Sequence, residues 1–189
     1  AALKGKKLFL HFEAIMGKSK IYVNGKLLAE HFGGYLPVVV DVTDALEFGK
    51  ENLIAVWADN SNDPNYPPGK QQEVLDFTYF GGIYRDCWLI AHNQVFITDP
   101  NYENEEAGGG LFVAYNNVSD HSAEVLLKIQ IRNSGRKAFK GVVEYELQQP
   151  DGQQVASLNS VIRIKPGKST YSSDKLTVKS PMLWSPENP

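Results

Sequence analysis

The residues with the most chemical content lie in one stretch, Leu75-Asp76-Phe77-Thr78-Tyr79-Phe80-Gly81-Gly82-Ile83-Tyr84-Arg85-Asp86. Carboxylates accept hydrogen bonds from sugar hydroxyls, and aromatic faces support the apolar faces of a pyranose ring, so the segment carries the chemistry of carbohydrate recognition. The same residues also suit a core edge in which the rings pack and Arg85 pairs with Asp86 or Asp76. On chemistry alone both readings stand open.

Other reactive residues are less organised. His11, His31, His92 and His121 are scattered, with no Gly-x-Ser-x-Gly or cysteine-protease pattern beside them and no metal-ligand spacing. Gly108-Gly109-Gly110 lacks the Lys-Ser/Thr of a phosphate loop and reads as a simple loop. Glu103, Glu105 and Glu106 read as a solvated acidic run. Cys87 reads as a small packed hydrophobe. Asn117-Val118-Ser119 matches a glycosylation sequon, a pattern frequent by chance.

The elements that must position these residues alternate with period two, which predicts an all-β chain. In residues 7–15, Leu8, Leu10, Phe12 and Ala14 share one face, opposite Phe9, His11, Glu13 and Ile15. Asn24-Gly25, between Ile21-Tyr22-Val23 and Lys26-Leu27-Leu28, predicts a type I′ hairpin. Val38, Val40 and Val42 alternate next, and Thr43 is expected to cap one helical turn ending near Gly49. Residues 53–57 form another strand. Residues 59–70 hold three prolines, three asparagines and a glycine, which predicts a long loop. Residues 83–91 resume the alternation. From Val95 a second set of about seven strands, punctuated by Asn133-Ser134-Gly135, Pro150-Asp151-Gly152 and Pro166-Gly167, fits an immunoglobulin-like sandwich.

Length and composition bound the function. The 189 residues hold one large or two small domains and leave no room for a (β/α)₈ barrel. A net charge of −3 supplies no broad basic surface, so nucleic acid and anionic membranes are not expected partners. One cysteine excludes an intrachain disulfide framework. No apolar run is long enough for a membrane helix and no targeting segment is recognisable, which predicts a soluble chain of undefined compartment.

Several linked motifs resemble one family. Phe12-Glu13-Ala14, Ile21-Tyr22-Val23-Asn24-Gly25-Lys26, His31-Phe32-Gly33-Gly34-Tyr35-Leu36-Pro37, Asp41-Val42-Thr43-Asp44 and Gly81-Gly82-Ile83-Tyr84-Arg85-Asp86 occur in an order and spacing similar to the sugar-binding domain of glycoside hydrolase family 2. Ile97-Thr98-Asp99-Pro100 and Leu183-Trp184-Ser185-Pro186-Glu187-Asn188-Pro189 resemble the opening and close of that family's second domain. The resemblance implies a partial jelly-roll sandwich over residues 1–93 and an immunoglobulin-like sandwich over residues 94–189. Both belong to a larger retaining hydrolase, most simply a β-galactosidase, whose two catalytic glutamates lie in a barrel outside these residues. With no initiator Met, the chain reads as an excised piece, inactive alone, that positions substrate and supports the barrel. It also implies that Asp86 contacts the sugar and a sodium ion in galactosidase-like members, whereas Asp76 matches a sugar contact of glucuronidases. Asn104-Glu105 only superficially echoes the family's acid/base pair, so no catalytic residue is assigned. The expected partners are a β-galactoside and the barrel, with self-association through an exposed sheet edge. A stand-alone carbohydrate-binding module and a structural sandwich are the alternatives.

Overall fold

The computed structural model describes residues 3–186, so Glu187-Asn188-Pro189 of the closing motif lie outside the described residues. As expected, the fold is all-β. The chain divides into two compact units, Ala1–Gln94 and Val95–Pro189.

The strands of the first unit are β1 (Lys7–Phe12), β2 (Ile15–Met16), β3 (Lys18–Val23), β4 (Lys26–Phe32), β5 (Val38–Asp41), β6 (Ile54–Asp59), β7 (Gly82–Ile83) and β8 (Cys87–His92). They form antiparallel sheets ordered β5-β1-β8, β4-β3-β6 and β2-β7. Alternation places Leu8, Leu10 and Phe12 of β1 beside Val38 and Val40 of β5, and these pack against Ile21 and Val23 of β3 in one buried cluster. The opposite side of β1 is more apolar than its pattern suggests. Phe9 is also buried and meets His92 edge-to-face at 5.8 Å, whereas Ile15, expected on that side, sits on β2 and joins the same core as Leu8 and Phe12.

The hairpin forms at Asn24-Gly25, with φ of 51° and 80°. Asn24 contributes more than a left-handed backbone. Its amide donates to the Ala45 carbonyl at 2.9 Å and to Asn52 Oδ1 at 2.8 Å, and its Oδ1 accepts from the Leu53 amide at 2.9 Å. The hairpin is thereby tied to the 43–53 turn. Thr43 caps no helix. Its hydroxyl accepts from the Leu8 amide at 3.0 Å, and Asp41 Oδ1 accepts from the Thr43 amide at 2.9 Å. Those bonds close a turn against β1 and leave no helical ladder to propagate.

Cys87 is exposed, not packed. It lies on β8, which pairs with β1 on one side only among the described residues, so the face it shares with Leu89 is open at the sheet edge.

The second unit contains β9 (Val95–Ile97), α1 (Pro100–Glu103), β10 (Leu111–Asn116), β11 (Ser122–Asn133), β12 (Phe139–Gln148), β13 (Gln154–Ile164) and β14 (Lys168–Lys179). One sheet has the order β10-β11-β14 with β9 also paired to β11, and β12-β13 forms the second. Val125, Ile129, Ile131, Leu176 and Val178 from the first sheet pack with Tyr145, Ile162 and Ile164 from the second. This is a sandwich with six strands among the described residues, one fewer than the turn signals suggest. Asn133 is buried at the end of β11 and fully used, donating to the Lys137 and Ile164 carbonyls at 2.8 and 3.2 Å and accepting from the Gly135 amide at 2.9 Å.

The acidic run is solvated only in part: Glu105 and Glu106 are exposed, but Glu103 is not. Asp99 caps α1 by accepting from the Asn101 and Tyr102 amides. This turn brings Glu103 under cover, with its side chain 4% exposed and one carboxylate oxygen 2.5 Å from Arg132. Glu105 accepts from the Tyr171 hydroxyl at 3.0 Å and from Gln130 Nε2 at 3.2 Å. The glycines 108–110 are buried in the same layer, where the Gly110 amide donates to Thr98 Oγ1 at 3.0 Å. A capped turn therefore docks on β11 where sequence suggests a polar linker.

Candidate functional site

The site begins with the long loop after β6, which is ordered by its own polar groups. Lys18 pairs with Asp63 at 2.9 Å, and Asp63 also accepts from the Asn65 amide at 3.0 Å and side chain at 2.7 Å. The hydrogen bond from Lys18, followed by those from Asn65, holds the Asp63 carboxyl down to about 2. Tyr66 turns inward and donates to the Ser61 carbonyl at 3.1 Å, and Tyr79 donates to Asn62 Oδ1 at 3.0 Å. These contacts fasten the start of the loop to its far end.

Beyond the loop, β7 pairs with β2 through Ile15–Ile83 and Met16–Gly82. Tyr84 then donates its hydroxyl to the Gly34 carbonyl at 2.6 Å, joining the Gly81–Asp86 motif to the Gly33-Gly34-Tyr35-Leu36-Pro37 loop. Tyr35 lies close to Tyr84 and Tyr79. Its phenol is raised above the usual value first by burial and then by those two rings. Phe80, 74% exposed, and Leu36 and Phe77 present apolar surface from the same two segments.

Asp76 and Asp86 are both exposed. Neither side chain makes a hydrogen bond or ion pair among the described residues, and no contact joins the two. Their settings differ. Asp76 follows a single 3-10 turn, Gln72–Val74, and lines a shallow hollow with Glu73, Phe77 and Thr78. Asp86 is held by its backbone, its carbonyl accepting from the Glu13 amide at 3.0 Å, while the Glu13 carboxylate accepts from the Trp88 indole at 3.0 Å. Arg85 pairs with neither aspartate and lies over the Tyr84 ring, 5.6 Å from its centroid. The core-edge reading of the segment thus fails for its carboxylates and for Phe80, and holds in part for Tyr79 and Tyr84.

Sequence reasoning gave no side-chain role to Glu13 or Tyr35. Their only signal was their place in the motifs Phe12-Glu13-Ala14 and His31–Pro37, which carry no distance information.

The arrangement suits binding better than bond cleavage. Partial desolvation on one side pushes the otherwise exposed Cys87 thiol up, and burial pushes the His31 imidazole down. No group of three His, Cys, Asp or Glu gathers to hold a metal among the described residues. Asp86 alone therefore offers one carboxylate donor to a cation such as sodium, which is not a complete site. Ordered loops, exposed rings and two unspent carboxylates on a β-sandwich are the groups that carbohydrate recognition uses.

Comparison with known proteins is consistent with that chemistry. Residues 2–93 match the sugar-binding domain of glycosyl hydrolases family 2, and residues 110–189 match the model named glycosyl hydrolases family 2. The chain belongs to glycoside hydrolase family 2. It is 30% identical over 187 residues to a β-galactosidase of Thermoanaerobacter pseudethanolicus, covering 98% of this chain and 23% of that protein. It is 31% identical over 185 residues to a β-glucuronidase of Formosa agariphila, covering 96% of this chain and 19% of that protein. The crystal structure of a Bacteroides uniformis β-glucuronidase superposes with a TM-score of 0.87 at 30% identity, over 99% of this chain and 21% of that one. The chain thus spans less than a quarter of the length of these relatives.

Proposed function

We propose that this chain is the non-catalytic, substrate-positioning portion of a retaining β-galactosidase, with Asp86 its principal sugar contact and Asp76 a secondary one. The observation that carries this reading is the state of Asp86: its backbone is fixed by Glu13, yet its carboxylate is exposed and unspent. A carboxylate so held forms a charge-assisted hydrogen bond with a sugar hydroxyl, and such a bond strengthens as charge develops at the anomeric centre. Hydrolysis with retention takes two further carboxylates about 5 to 5.5 Å apart, a role given to no residue of this chain in this reading. Sodium, where bound, would meet Asp86 as one ligand among others from outside these residues.

Both galactosidases and glucuronidases stand among the relatives, so charge must choose between them. Asp76 and Asp86 are exposed within the candidate segment and Glu73 just before it, and together they outnumber Arg85, which keeps its charge while lying over Tyr84. An anionic glucuronide is repelled by this segment, while a neutral galactoside is not. The hydrolase containing this chain is expected to favour nitrophenyl β-galactoside over nitrophenyl β-glucuronide by about 100-fold or more in kcat/KM. The 189-residue chain alone is expected to turn over neither. A preference for the glucuronide would overturn the galactoside assignment, and turnover by the purified chain would overturn the non-catalytic one.

A further inference from the structure

Asp86 leaves the first unit from an irregular piece of sheet. The register of β1 with β8 sets Phe12 opposite Cys87, and the bond from the Glu13 amide to the Asp86 carbonyl continues it by one residue. The register of β2 with β7 sets Ile15 opposite Ile83. Ala14 alone therefore faces two residues, Tyr84 and Arg85, which is a β-bulge on the strand that carries Asp86. Ala14 is fully buried, so the bulge closes against the body of the unit. A bulge interrupts the ladder and bends its strand, and a residue on its flank loses the even tethering of a regular pair. On one side of the bend Tyr84 is fastened by its hydroxyl, which donates to the Gly34 carbonyl at 2.6 Å. On the other side the Glu13 amide holds the Asp86 carbonyl at 3.0 Å.

A second bond from the same residue completes the tether. Asp86 and Trp88 are two apart and share a face by alternation, and the register places Glu13 on that face, directly across from Asp86. The Glu13 carboxylate accepts from the Trp88 indole at 3.0 Å. Glu13 thus grips the strand at Asp86 through its backbone and two residues further on through its side chain. Its residue type adds to the argument. Like charges directly opposite each other across a strand pair are unfavourable, and Glu13 and Asp86 form such a pair; the charge-assisted bond to Trp88 offsets that cost. We propose that Glu13 is a positioning residue for the sugar contact, its carboxylate fixing, through Trp88, the strand segment from which the Asp86 side chain leaves the bulge. The inference rests on the reading of Asp86 as that contact. Both Glu13 bonds join the end of β1 to the start of β8, so the tether is independent of whatever adjoins the outer edge of β8. Misplacing a positioned group by about 1 Å costs up to about 100-fold in rate, so a loosened tether is read in kcat/KM without Glu13 touching the sugar.

The test is a set of variants of the hydrolase containing this chain, assayed on nitrophenyl β-galactoside. Glu13→Ala and Trp88→Phe each remove one end of the indole bond and are expected to lower kcat/KM about fivefold. The double variant should be no worse than either single one, because both delete the same bond. Glu13→Gln keeps an oxygen that accepts from the indole and is expected to stay within about twofold of the parent. In an Asp86→Ala background, Glu13→Ala is expected to change kcat/KM by less than about twofold, since no carboxylate remains to be aimed. That readout separates positioning from damage to the fold, which lowers activity by the same factor in either background. If Asp86→Ala by itself leaves kcat/KM unchanged, the reading of Asp86 as the sugar contact falls and takes this inference with it. If Asp86→Ala lowers kcat/KM but Glu13→Ala costs the same with or without it, or costs nothing in either, the sugar contact stands and the role of Glu13 is overturned. A Glu13→Gln variant as poor as Glu13→Ala would overturn it as well, because the charge and not the indole bond would then matter.

Discussion

Gly17→Ala is expected to destabilise the first unit by about 3 to 4 kcal/mol. Gly17 joins β2 to β3 at φ 98°, and a Cβ built there falls 2.0 Å from the Asp59 carbonyl oxygen. Neither side can easily give way. Lys18 follows at once and is paired across the sheet with Asp59, and the Gly17 carbonyl accepts from the Gly33 amide at 3.1 Å. The alanine therefore meets backbone on one side and an unfavourable left-handed conformation on the other. The damage reaches the site, since Asp59 opens the long loop and Gly33 opens the loop that carries Tyr35. Urea unfolding followed by tryptophan fluorescence, in a Trp184→Phe background, reads this unit, which contains the other two tryptophans, Trp57 and Trp88. A loss below about 1 kcal/mol would show that the β2–β3 corner relaxes freely.

The second large effect belongs to the other sandwich. Arg132→Ala is expected to remove about 3 kcal/mol at pH 7, because it strands the buried Glu103 carboxylate. Burial raises the Glu103 carboxyl above its ordinary value near 4.5, and Arg132 opposes that rise, while Glu105 and Asp99 add to it. A folded carboxyl that holds its proton more tightly than the unfolded one stabilises fully below pH 4.5, and that contribution is lost as pH rises through the folded value. Without Arg132 the folded value rises further, so more is lost at neutral pH. The difference between variant and parent should accordingly shrink as pH falls below 4.5, leaving only the lost packing of the arginine stem. A difference constant from pH 4 to 8 would mean that Glu103 is hydrated and its pairing incidental.

Most of the fold was legible because it rests on two local signals. Alternation in Leu8, Leu10, Phe12, Val38, Val40 and Val42 fixed one face of the first core, and Asn24-Gly25 fixed its hairpin. What escaped depends on partners distant in sequence. Nothing near Glu103 in the chain announces Arg132, and nothing near Tyr84 announces the Gly34 carbonyl. Cys87 was misread because its alternation is that of a core strand, whereas its exposure follows from β8 having a neighbour on one side only. Thr43 looked like a helix cap because residue type alone does not reveal that β1 claims its hydroxyl.

The candidate site was half legible for the same reason. Its residue types marked the segment from Leu75 to Asp86 as suited to sugars, and the chain's membership of glycoside hydrolase family 2 agrees with that chemistry. The difference between a spent and an unspent carboxylate became visible only in three dimensions. Asp63 is consumed by Lys18 and Asn65 in ordering the loop, while Asp86 has its backbone anchored and its side chain exposed.

The most direct measurement is kcat/KM for nitrophenyl β-galactoside in the hydrolase containing this chain, with and without Asp86→Ala. Loss of one charge-assisted hydrogen bond that tightens in the transition state predicts a fall of about 10- to 100-fold, with the unfolding transition unchanged because the exposed side chain makes no internal bond. An unchanged kcat/KM would contradict the account, leaving this unit a structural support without a hand in substrate recognition.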